Sequence, residues 1–423
     1  MNQLINLKFV ILIPLVLAWF ALLPNPDAFG VVPAPDGGYP NNNTAEGTDA
    51  LFSLTNGDNN TAIGFTALYS NTGGGNNTAV GEGALFNNTT GNKNTGIGYE
   101  ALNKNKTGYQ NTATGWAALH ANTVGYNNTA TGNSALSSNT TGYANTGDGL
   151  GALGSSITGY YNTANGYSAL GNNTIAFDNT ATGFEALFKN TIGLQNTATG
   201  ANALLNNIAG GNNTAAGYEA LRNTTGNNNI AIGSNAGSNL TTGSNNIDIG
   251  TLGGVAAESS TIRVGTAKTQ TKTFIAGIRG VTTANANAVP VVIDSAGQLG
   301  TVSSSERFKK QIKPMDQVSE AILALKPVTF QYGSDSTNTP QFGLIAEEVA
   351  KVNQDLVVPD ADGEIYTVRY EAVNAMLLNE FLKEHRKVQE LEKQVEELTA
   401  GLQKVNAQIE MSRPARRVVD NNE

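Results

Sequence analysis

The dipeptide Asn-Thr recurs at 43, 60, 77, 94, 111, 128, 145, 162, 179, 196 and 213, always at an interval of 17 residues. No other feature restricts so narrowly what this chain can fold into. Two degenerate copies follow, at Asn229-Ile230 and Asn246-Ile247. The unit reads N-T-A-x-G-x-x-A-L-x-x-N-T-x-G-x-x. All eleven full copies keep Gly at the fifth place (Gly47 to Gly217) and Ala-Leu at the eighth and ninth (Ala50-Leu51 to Ala220-Leu221). A fixed short period means that one supersecondary unit stacks on copies of itself. Seventeen residues are too few for a pair of helices and enough for one coil of a β-solenoid. The expected coil has two short strands, "T-A-x-G" and "A-L", with Leu pointing inward. Glycines at the corners take positive φ at little cost. Stacking sets each Asn above the last, so the side-chain amides can bond to one another as a ladder. One Leu per coil is a thin core, from which we expect three chains to share apolar faces.

Composition agrees with such a build. The chain has 48 Gly and is only 14% charged and 7% aromatic, which does not suit one ordinary globular core. A net charge of −9 argues against a nucleic-acid partner. With no Cys, disulfides, thiolate metal sites and Cys nucleophiles are excluded. Two histidines, His120 and His385, do not make a multi-histidine metal site, and no cofactor is expected. Residues 1–30 read as a secretion signal: Lys8, then the apolar run from Phe9 to Leu23, then small residues in Ala28-Phe29-Gly30. That run is short for a membrane span and contains Pro14. The expected location is therefore outside the cell or on its surface. Residues 31–42 read as a linker and 43–250 as the solenoid.

The repeat resembles the head repeats of trimeric autotransporter adhesins, which are left-handed parallel β-rolls with N-x-A-x-G signatures. Unlike them, residues 304–423 are not expected to form a terminal membrane β-barrel. Three roles compete for the array: a spacer, an adhesive surface for a cell-surface or glycan ligand, and an ice-binding face built on the Thr of each "N-T-A". The sequence leaves open whether that Thr faces outward.

Residues 251–303 change character. "STIRVGT", "TKTFIAGIRGV" and "VPVVIDSAGQLGTV" alternate apolar and polar residues and predict a strand-built stalk around a threefold axis. "DSAGQLGT" reads as a hairpin with Gly at the bend.

From Ser304 the composition shifts again, and 304–423 holds 15 of the 25 Lys and Arg. Residues 304–375 read as a small α+β domain, 376–410 as a coiled coil and 411–423 as a disordered tail. "DQVSEAILALKPV" predicts a helix with Val318, Ile322 and Leu325 on one face. "VTFQYG" predicts a strand, "QFGLIAEEVAKV" a strand running into a helix, and "LVVPDADGEIYTVRY" a hairpin around Asp362-Gly363. From Glu371 to about Glu410 the chain reads as helix. Val388, Leu391, Val395, Leu398, Leu402, Val405 and Ile409 step by 3 and 4, which makes an a/d seam. Glu384 interrupts the seam at its start. β-Branched residues at a permit a dimer or a trimer, and the fibre upstream selects the trimer.

"SSERFKKQI" (304–312) resembles the start of the endosialidase-type intramolecular chaperones, the self-cleaving C-terminal domains of phage tail spikes, with the pattern S-D-x-R-x-K-x-x-I. Ser304, Arg307, Lys309 and Ile312 are in register. Leu325-Lys326-Pro327-Val328, Phe330, Tyr332, the run Gly343 to Val349 and "YEAVNAMLL" follow in the family's order. The resemblance covers 304–398 and implies a single-turnover serine endopeptidase. Ser304 is then the nucleophile, Lys309 the general base, Ser303–Ser304 the bond cut and Arg307 a structural ion-pairing residue. A hydroxyl needs a base before it attacks, and a lysine serves as base only in a setting that disfavours its charge. Ser305 stands where the family has Asp. The fold class is thus mainly β: a trimeric parallel β-roll or solenoid, then a small α+β chaperone domain and a coiled-coil helix. The alternatives are a fibre or adhesin with a purely trimerising C-terminal domain, and a phage-type tail fibre.

Overall fold

The computed structural model describes residues 39–278, 283–284, 287–294, 296–360 and 362–413. The predicted signal segment and most of the expected tail lie outside them. The chain divides into two compact units between Phe274 and Ile275.

The first unit is a parallel β-solenoid. Three-residue strands run from β1 (Thr44–Glu46) through β13 (Ile247–Ile249) to β14 (Ile262–Val264), each paired with the next in one sheet. Register follows the sequence period, with Thr112 opposite Thr129 and Thr129 opposite Thr146. Alternation explains the strand: its middle residue, usually Ala, points inward, while Thr and the third residue point out. The interior of a middle coil holds Ala130, Ala135, Leu136, Asn128 and Asn139, all with 0% of their surface exposed.

Three findings refine the expected coil. The "A-L" pair is not a second strand. Leu136 sits at φ 52° and its counterparts lie close to that value, a left-handed conformation unfavourable for Leu by about 1–2 kcal/mol. The turn is kept because it swings the side chain into the axis and lets Leu136 N–H donate to Ala152 O of the next coil at 2.9 Å. The fifth-position glycines are required by close approach. A Cβ on Gly132, at φ 126°, would lie 2.7 Å from the carbonyl carbon of Gly149. Lastly, the thin core is closed within one chain, so no shared apolar face is needed to complete it. Two buried Asn ladders supply what Leu does not. In one, Asn128 Nδ2 donates to Asn111 Oδ1 (3.1 Å) and to Gly142 O (2.8 Å). In the other, Asn105 Nδ2 donates to Asn88 Oδ1 (2.7 Å) and to Gly108 O (3.0 Å).

The sheet also runs past the expected boundary at 250. Within "STIRVGT", β14 pairs with β13 and so belongs to the solenoid. Near this end Asp248 takes the inward place of Ala and is 2% exposed. Burial raises its carboxyl above the ordinary value of 3.8; the charge of Glu258 adds to this and Arg263 opposes it. The folded state therefore holds this proton more tightly than the unfolded state. Stability from this group is greatest below 3.8 and falls as pH rises through its raised folded value. Glu258, lowered by its hydrogen bond with Arg263, acts in the opposite sense. We expect Asp248→Asn to raise the melting temperature near neutral pH and to remove this part of its pH dependence. Thermal melts of both proteins across pH check this, and equal melting temperatures at pH 7 would refute it.

In the second unit the only part of the expected stalk found as strand is a hairpin, β15 (Val292–Ile293) with β16 (Leu299–Gly300), among the described residues. Next come a 3-10 turn (Glu306–Phe308), a 3-10 helix (Asp316–Ala324) and the antiparallel pair β17 (Val328–Phe330) and β18 (Gln341–Gly343). Helix α1 (Ala346–Val352) leads to a second pair, β19 (Val357–Pro359) and β20 (Ile365–Val368). The long helix α2 (Tyr370–Met411) follows. The core joins Val349, Leu356, Val368 and Met376, with Ile322 and Leu325 packed on it. Val318 does not join them. The 3-10 helix repeats every three residues, so Val318 is 66% exposed and Ser319 is the buried residue. Ser319 Oγ bonds to the Glu380 carboxylate and accepts from Asn379 Nδ2 at 2.7 Å. Lys383 bonds to Glu380 at 2.7 Å and to Glu320 at 3.4 Å. This polar clasp fastens α2 to the 3-10 helix. Among the described residues no helix is long and apolar enough to cross a membrane.

Candidate active site at Ser304

Local backbone brings Ser304 and Lys309 together. Ser305 is extended (φ −65°, ψ 138°) and the chain then makes one 3-10 turn. Phe308 N–H donates to Ser305 O at 3.1 Å and Lys309 N–H to Glu306 O at 2.9 Å. A single tight turn across a five-residue spacing returns the lysine over the serine, and Lys309 Nζ donates to Ser304 Oγ at 3.4 Å. Ser305 occupies the N-cap position, but its hydroxyl makes no cap hydrogen bond. The Ser303 hydroxyl accepts from the Ser305 N–H at 3.4 Å. The three consecutive serines are therefore distinguished by geometry: Ser304 is the one on the lysine.

Two expectations are not met within one chain. Arg307 forms no ion pair among the described residues. Its guanidinium lies over the Phe308 ring, 4.6 Å from the centroid. The apolar cover that a lysine base needs is also missing, since residues 303 to 310 are all exposed. No short sequence motif reveals this, because what covers a segment is set by whatever packs on it.

Residues 304–358 match the chaperone of endosialidase family. No curated protein and no solved structure is significantly similar to the chain. The family match begins at Ser304, so the Ser304–Lys309 pair stands at the first residues of the chaperone domain. Past the match, the predicted seam of α2 runs unburied along the helix. Leu391 is 50% exposed, Leu398 68% and Leu402 64%.

On the solenoid the structure answers what the sequence left open. The strand threonines face outward, and their hydroxyls make no hydrogen bond to protein among the described residues. A second Thr column is used internally: Thr123 Oγ1, for example, donates to Thr140 O at 3.0 Å. Tyr109, Tyr126, Tyr143, Tyr160 and Phe177 stack with ring centroids 4.6 to 5.0 Å apart. Stacking covers the ring faces with one another, so this column braces successive coils and leaves mainly ring edges to solvent.

Proposed function

We propose that this chain is a homotrimeric fibre whose residues 304–423 act as an intramolecular chaperone. The chaperone aligns three chains and then frees itself by cutting Ser303–Ser304. The observation that carries the reading is the Lys309 amine 3.4 Å from the Ser304 hydroxyl, at the point where the chaperone domain begins. In the reaction Lys309 takes the hydroxyl proton and Ser304 Oγ attacks the carbonyl carbon of Ser303. The C–N bond then breaks as the proton passes to the departing α-amine. Water hydrolyses the resulting ester, leaving a carboxylate on Ser303 and a free amine on Ser304. Cutting follows assembly because the base works only when covered. The exposed seam of α2 supplies the force that brings three chains into register.

A release step suits this shaft. Coils that stack strand on strand fold slowly and are held by many cooperative contacts. Once the guide has left, the closed shaft has no easy route back and is kinetically trapped. The signal-like residues 1–30 support a location outside the cell or on its surface, where the array would serve as a spacer or as an adhesive face for a surface or glycan ligand.

Native mass spectrometry of the exported protein tests the whole reading. We expect a trimeric shaft that begins after Gly30 and ends at Ser303. A trimer retaining residues 304–423 in every chain would reduce the domain to a clamp, and a monomer would remove the assembly role as well.

A further inference from the structure

The segment bearing the dyad is unfinished in a single chain. Phe308 and Ile312 stand on either side of Lys309 in sequence and are 64% and 62% exposed. No residue of the 3-10 turn is buried. The same unit has an open apolar groove of about 690 Å³, lined among others by Ile322, Leu325, Val328, Phe342, Tyr370 and Leu377. Phe342 is 81% exposed and Leu377 57%. The Tyr370 hydroxyl accepts from the Leu344 N–H at 3.0 Å and so ties the start of α2 to the strand-to-helix connection beside the groove. One chain thus displays an apolar plug and an apolar slot, and its own plug does not fill its own slot.

We propose that Phe308 and Ile312 of one chain seat in this groove on a second copy of the chain, covering the Ser304–Lys309 pair. This rests on the trimeric, self-cutting reading above. Three observations select a second copy as the occupant. A plug and a slot at different places on one surface make a head-to-tail contact, the kind that closes a ring under threefold symmetry. One wall of the groove is the start of α2, so the slot adjoins an unburied apolar stripe that runs through Leu378 and Phe381 and, past Glu384, is followed by the a/d seam. Charge also matches. Arg307, Lys310 and Lys313 flank the plug, while Glu348 lines a neighbouring hollow that shares Leu325 and Leu344 with the groove, and Glu371 follows Tyr370 of the groove wall. Cations beside the plug meet carboxylates near the slot, and Lys309 is left beneath the apolar cover. Such cover favours the neutral amine that the reaction needs.

The absence of native Cys permits a clean test that does not depend on cleavage. In a Ser304→Ala background, a chain carrying only Phe308→Cys is co-expressed with one carrying only Phe342→Cys and oxidised. We expect a disulfide-linked pair of the two chains on a non-reducing gel. None is expected when Phe342→Cys is replaced by Tyr366→Cys, at an exposed site outside the groove. No linked pair, or equal linking through the Tyr366→Cys chain, would overturn the proposal. A linked pair in a protein whose wild type is never cut would keep this docking and sink only the protease reading. In the cutting protein, Phe342→Asp should slow cleavage about 10²-fold while the trimer persists.

Discussion

Ser304→Ala, Lys309→Ala and Lys309→Arg each leave the chain uncut, so that a denaturing gel shows one full-length band where wild type shows two. The expected loss is at least about 10³-fold in the rate of cleavage, the scale seen when a nucleophile or its base is removed. Lys309→Arg is the sharpest of the three. Arginine keeps the positive charge and most of the length but cannot give up its proton, so it preserves a structural cation and abolishes a base. Full cleavage in Lys309→Arg would show that the amine acts only as a charge. Ser303→Ala and Ser305→Ala should still be cut, because neither hydroxyl is the one bonded to the lysine amine. Loss of cleavage in Ser305→Ala with retention in Ser304→Ala would move the nucleophile by one residue. Lys272→Ala, at an exposed lysine outside the chaperone domain, is a control and should cut at the wild-type rate.

What the sequence made legible, and what it hid, follows one division. Features repeated every 17 residues could be read because stacking in register converts sequence position directly into spatial position. The first strand of each coil, the fifth-position glycines and the first Asn ladder are of this kind, whereas the outward facing of the strand threonines was not. Asp362-Gly363, the long helix α2 and the approach of Lys309 to Ser304 were legible for a related reason: each depends on local chain geometry. The turn at Ala135-Leu136 was not. Leu disfavours φ 52°, so a local reading makes the pair a strand, and only closure of the coil around a buried Leu overrides that preference. Ser319 was missed because its burial depends on Asn379 and Glu380, some sixty residues away. The exposure of Lys309 was hidden most deeply, since among the described residues nothing packs on the segment that carries it.

The interior of the solenoid gives the largest expected effect on stability, at Asn128. Its amide is 0% exposed and fully engaged. Besides donating to Asn111 Oδ1 and Gly142 O, its Oδ1 accepts from Asn145 N–H at 3.0 Å and from Asn145 Nδ2 at 3.1 Å. Asn128→Ala leaves the Asn145 N–H and an Asn145 amide proton without their partner in a dry interior, while the Gly142 carbonyl keeps only its bond from Asn139 Nδ2. At about 1–3 kcal/mol for each of these two orphaned groups, the loss should be about 2 kcal/mol or more. Asn128→Leu separates hydrogen bonding from packing: it fills the space yet orphans the same groups, so it should be as damaging as Ala. Asn133→Ala, on the surface of the same coil, should stay within about 0.5 kcal/mol of wild type. Because each coil bonds only to its two neighbours, the damage should be local before it is global. Amide exchange should rise first at Thr112, Thr129 and Thr146, whose strands pair across the altered coil, while β13 stays protected. If Asn128→Leu proved as stable as wild type, the ladder would be a passenger of the repeat, and Ala and Leu packing would have to hold the coils together unaided.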